Sequence, residues 1–258
     1  MSNRRRLRII AITSLGVLLG AAIAPPTSQP QRYHHFADTR SFFDVPNFLN
    51  VVSNLAFFYV GIAGLIFLIS SRHSVAGRPF IESRERWPYL VLFLSVALTG
   101  IGSAYYHLAP DNGRLMWDRL PLAIAMMALL SAQLTERVSP GTGLGIMPAL
   151  VGLGAASVLY WHWSEEQGAG NLNFYLVVQF YSLLVIVLLA IFFGSRYTQA
   201  SDIFIALAWY AVAKLAEVAD REIYDVGHLV SGHTAKHVLA AVGVYWILHM
   251  LKIRRPIP

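Results

Sequence analysis

Eight apolar stretches, roughly 7–24, 47–70, 87–109, 114–135, 141–161, 173–194, 199–219 and 232–252, fill most of this chain. Each is about the length a helix needs to cross the roughly 30 Å hydrocarbon core of a bilayer. No water is present there to satisfy backbone N–H and C=O groups, so only helices and closed barrels span it. The pattern predicts an all-α, polytopic membrane helix bundle with seven core transmembrane helices plus one extra N-terminal transmembrane helix. Composition agrees: only 13% of the residues are charged, about half the usual share in soluble domains.

The net charge of +6 does not point to nucleic acid, because the arginines gather beside the ends of the apolar spans. With the N-terminus in the cytoplasm and spans alternating, the inner segments hold thirteen basic residues, among them Arg4, Arg5, Arg6, Arg8, Arg72, Arg78, Arg84 and Arg86. The outer segments hold four: Arg32, Arg40, Arg114 and Arg221. That asymmetry predicts both termini on the cytoplasmic side. The chain divides into an N-terminal signal anchor or extra transmembrane helix (1–24), an extracytoplasmic loop (25–46) and a seven-span domain (47–252). The basic start and apolar core of the first segment also fit a cleaved signal peptide.

There is no cysteine, so a transition-metal site has to be built from histidine and carboxylate. Two histidines, His233 and His237, open the last span with i, i+4 spacing, and Ser103 and His107 close an earlier span with the same spacing. That spacing stacks both side chains on one helix face. Asp118 falls about one turn into the following span. The alternating topology puts all five within about 10 Å of the outer interface, at about 1.5 Å of rise per residue.

Three neutral imidazoles with one open position suit catalytic zinc, which generates a nucleophile from water near neutral pH. A nearby carboxylate can carry the proton, and a hydroxyl can donate to a developing oxyanion. The set therefore suits hydrolysis of an ester or amide. The plainer alternatives are bundle hydrogen bonds for the histidines and pairing of Asp118 with Arg119 or Arg114. Lys214 and Glu217, at i, i+3, read as a structural ion pair. His34, His35 and His228 read as solvated loop, His162 as part of an interfacial aromatic belt, and His73 and His249 as too far away.

Ser-x3-His, an aspartate eleven residues after that histidine, and His-x3-His in the last span together resemble the alkaline ceramidase family. That family sits in a wider group of seven-span membrane hydrolases that includes the adiponectin-type receptors. Asn50-Val-Val-Ser53-Asn54 is similar to the family's Asn-Thr-x-Ser-Asn element. The resemblance covers about residues 47–252 and implies that His107, His233 and His237 carry zinc. It further implies that Asp118 shuttles the proton and that Ser103 holds the metal water or the oxyanion. The implied reaction is cleavage of the N-acyl bond of a ceramide-like membrane lipid to a fatty acid and a sphingoid base.

Two departures mark the chain. The family's calcium site is built from an acid-rich segment, and here only Asp38, Asp44 and Asn47 offer oxygen ligands, fewer than the six or more that calcium usually takes. The extra N-terminal span lies outside the family core. Both look more like a bacterial branch set in an inner membrane, with the site near its outer leaflet. The alternatives are a receptor or sensor sharing the metal core, and a transporter whose polar residues form a proton path.

Overall fold

The computed structural model describes residues 2–71 and 79–257. Arg72, His73 and Arg78 of the expected inner loop lie outside the described residues. The chain folds as α1 (Asn3–Ile23), α2 (Phe48–Val52), α3 (Leu55–Ser70), α4 (Trp87–Leu108), α5 (Asn112–Arg137) and α6 (Pro140–Glu166). There follow α7 (Asn173–Leu176), a π-helical turn (Val177–Tyr181), α8 (Ser182–Phe192), α9 (Asp202–Val218), α10 (Asp220–Gly227) and α11 (Gly232–Ile253). The bundle is all-α, as expected. Among the described residues, seven helical segments are long and apolar enough to cross a membrane. The eighth expected span, α9, has 17 residues, at the short end of the spanning range.

Local chemistry sets the helix boundaries. Pro110 follows α4, and Asp111 caps α5 by accepting from the Arg114 backbone N–H at 2.7 Å, as N-cap aspartates do. Ser139 and Ser231 cap α6 and α11 in the same manner. The expected span 47–70 holds as one candidate membrane span, Phe48–Ser70, although its helix is broken by a turn between α2 and α3. There the side chains of Ser53 and Asn54 both donate to the Asn50 carbonyl, at 3.1 and 2.7 Å. Such local side-chain bonds compete with the helical ladder. The expected span 173–194 likewise holds as Asn173–Phe192, with the π turn inside it.

Helices α4 and α5 lie at the centre, flanked by α3 and α6, while α9 and α11 pack against each other. Gly102 lets α4 approach α5 so closely that an added Cβ would sit 2.1 Å from the Trp117 carbonyl oxygen. That carbonyl faces Pro121, which has no N–H to offer it. At the end holding both termini, Arg254 is buried between Glu136 and the rings of Phe80, Tyr89 and Tyr197. The segment 25–46 folds over the opposite end. Arg40 clamps Asp38 there, and Asp220 accepts from the backbone N–H groups of Ala37 and His233 at 2.8 and 2.7 Å.

Candidate metal centre

His107 in the last turn of α4 meets His233 and His237 in the first two turns of α11. All three are buried, and one ring nitrogen from each lies within 4.8 Å of the other two. The Nε2 atoms of His107 and His233 are 3.3 Å apart. His237 Nδ1 lies 2.8 Å from Ser53 Oγ, and that hydroxyl donates to the Asn50 carbonyl. Ser53 therefore accepts from His237 Nδ1–H, which leaves the Nε2 lone pair free. His237 Nε2 is buried with no hydrogen-bond partner. A buried imidazole lone pair aimed at two others is what a cation-binding centre requires, and a three-histidine donor set suits zinc.

Neighbouring elements hold the ligands in place. Asn47, in the left-handed conformation (φ 48°), donates from its amide to the His107 carbonyl at 2.9 Å. Thr234 donates to Asn50 Oδ1 at 2.7 Å. Phe36, from the segment over the site, packs its ring 4.6 Å from both the His107 and His233 rings. An added Cβ on Gly232 would lie 2.0 Å from the Ala216 carbonyl oxygen, so only glycine lets α11 begin this close to α9.

The centre borders a partly open cavity of about 320 Å³. Ser103, Asp118, Lys236 and His237 line it, so Ser103 and Asp118 share this cavity with His237. Asp118 pairs with neither expected arginine. Arg114 turns to Asp111, and Arg119 donates to Gln29. The rest of the cavity is largely apolar, walled by residues such as Leu92, Leu129, Leu207 and Val244.

Several expectations are corrected. The described residues give calcium no support: Arg40 holds the Asp38 carboxylate at 2.8 Å, the Asn47 amide is used on His107, and Asp44 is exposed. His34 is not a solvated loop residue, because its ring bonds Tyr106 Oη and Asn112 Oδ1, each at 2.9 Å. Lys214 and Glu217 do pair, but the pair is part of a larger group that includes Lys236. The Lys236 Nζ lies 3.1 Å from Glu217 Oε1 and 3.0 Å from His233 Nε2. Sequence reasoning missed Lys236, although its place between the two histidines of α11 was a signal.

Among the described residues, seven apolar segments long enough to span a membrane, with a buried three-histidine group, define an integral, multi-pass membrane protein with a group that can hold a metal ion. A family model described as Ceramidase matches residues 43–256, and the chain belongs to that family. It is thus a ceramidase-like hydrolase acting on amide bonds, with a lipid as its class of substrate. A comparison with curated proteins found no match.

Proposed function

We propose that this protein is an intramembrane, zinc-dependent amidase that cleaves the N-acyl bond of ceramide-like lipids to a fatty acid and a sphingoid base. One observation carries the reading: three buried imidazoles, one with an unpartnered Nε2, stand beside Ser103 and Asp118 at a largely apolar cavity. His107, His233 and His237 would hold the zinc, which supplies Lewis-acid polarisation and an acidified water when bound.

The chain's own groups do the rest. Asp118 takes the proton of the attacking water and returns it to the leaving nitrogen as the C–N bond breaks. Ser103 donates its hydroxyl hydrogen to the oxyanion that develops on the acyl carbon. Phe36 closes the centre from above and excludes bulk water. The apolar walls receive a hydrocarbon chain while the amide sits at headgroup depth. The proposed placement has both termini in the cytoplasm and the site near the outer leaflet of a bacterial inner membrane.

The test measures zinc content and fatty-acid release from ceramide in detergent, with wild type beside His233→Ala. About one zinc per chain and zinc-dependent release, both lost in the variant, support the reading. A well-folded wild type that takes up no zinc after add-back would overturn it.

A further inference from the structure

Beyond the first and last turns of the seven core spans, the chain places three basic residues: Arg119, Lys214 and Lys236. All three line the cavity. Basic residues inside a span are costly, and by default they mark a site. Lys214 and Lys236 share one carboxylate, that of Glu217.

Arg119 has no such partner. It is 6% exposed and forms no ion pair with any described carboxylate. Its Nη2 donates to Gln29 Oε1 at 2.7 Å, while Nη1 has no hydrogen-bond partner. The rings of Trp161, Tyr175 and Tyr33 surround the guanidinium at 4.4, 4.8 and 5.3 Å. Such rings help to hold a cation, but they do not neutralise it. Among the residues that line the cavity, the three cations outnumber the two carboxylates, Asp118 and Glu217, and a metal would widen the excess.

We infer that the polar end of the cavity receives an anionic head group, phosphate or carboxylate, with the Arg119 guanidinium as its anchor. A guanidinium presents a planar fork of N–H donors that matches such oxyanions. The inference rests on the lipid-amidase reading and sharpens it: among N-acyl lipids, those with a negative head bind best.

Binding of dodecyl phosphate, dodecanol and inorganic phosphate to the detergent-purified, zinc-loaded full chain tests this by calorimetry. Dodecyl phosphate should bind about 10- to 100-fold more tightly than dodecanol, the range expected for a charge-assisted hydrogen bond. Arg119→Gln should close that gap, and Arg119→Lys should keep part of it. Equal affinities in the wild type, or a gap that survives in a folded Arg119→Gln variant, would overturn the inference. Inorganic phosphate binding as tightly as dodecyl phosphate would overturn it too, since the anion would then not be a lipid's. Should Arg119→Gln fail to fold, the wild-type comparison and Arg119→Lys decide the matter. A gap without hydrolysis of any N-acyl lipid supports the anion site and removes the amidase reading. Hydrolysis of neutral ceramide without a gap does the reverse.

Discussion

The His237 ring and the Ser53 hydroxyl meet at 2.8 Å, across the point where the second span is broken between α2 and α3. The break has a consequence for the metal centre. Ser53 sits where its own O–H is taken by the Asn50 carbonyl, so its oxygen can only accept from the imidazole. That arrangement selects the tautomer with Nε2 free. Partners of this kind are worth about 10- to 100-fold in metal affinity. Ser53→Ala should weaken zinc binding by about that factor, as read by competition with a chromogenic chelator. Unchanged affinity would mean that packing alone orients His237.

Asp118 and the histidines should separate by readout. Asp118→Asn keeps the side-chain volume but loses the base. It should retain zinc while turnover falls by about 10²- to 10⁴-fold, the usual worth of a positioned acid or base. His237→Ala should lose both metal and turnover. His249→Ala should lose neither, because that ring packs on Trp246 near the far end of α11. Normal turnover in Asp118→Asn removes its proton role, and zinc loss in His249→Ala overturns the ligand set.

Much of this was readable from hydropathy and spacing. The apolar runs mark the membrane helices because bilayer thickness imposes a length on each. The i, i+4 pairs mark the candidate metal centre because helix periodicity puts both members on one face. What stayed hidden depended on contacts between segments far apart in the chain. Nothing local to Tyr33, His34 or Phe36 says that the loop would fold back onto Tyr106 and His107. Nothing local to Arg119 says that it would point away from Asp118 and into a cage of rings from the loop, α6 and α7. The break at Ser53–Asn54 was visible as a polar interruption, but hydropathy averaged over a window hides it.

Gly102 is the contact that brings α4 and α5 together next to Ser103 and Asp118. A methyl there would meet the Trp117 carbonyl oxygen at 2.1 Å, and that atom is backbone that cannot turn aside. Gly102→Ala should therefore force the helices apart and destabilise the fold by about 1–3 kcal/mol, the usual penalty of overpacking. Gly152→Ala is the control, since nothing lies within 4 Å of a Cβ there. Thermal unfolding in detergent should show a lower midpoint for the first variant only. Equal midpoints would show that the two helices adjust at no cost.

The cap over the site should loosen with acid, and His34 sets the direction. Burial holds its imidazole below the ordinary value of 6.5, against the opposing hydrogen bond to Asn112, with Arg119 lowering it further and Asp111 raising it. The neutral ring fits its place, with one nitrogen donating to Asn112 Oδ1 and the other accepting from Tyr106 O–H. Because the folded-state value lies below the unfolded one, the undocked loop binds more protons than the docked loop once the pH drops under 6.5. Docking is thus at full strength above that pH and weakens as the pH falls from it through the folded-state value. Protection factors in residues 25–46, each taken against the intrinsic exchange rate at its own pH, should be lower at about pH 5.5 than at about pH 7.5. His34→Asn, which cannot titrate, should flatten that difference. A wild-type loop equally protected at both pH values, or the same slope in the variant, would show that His34 does not govern the cap.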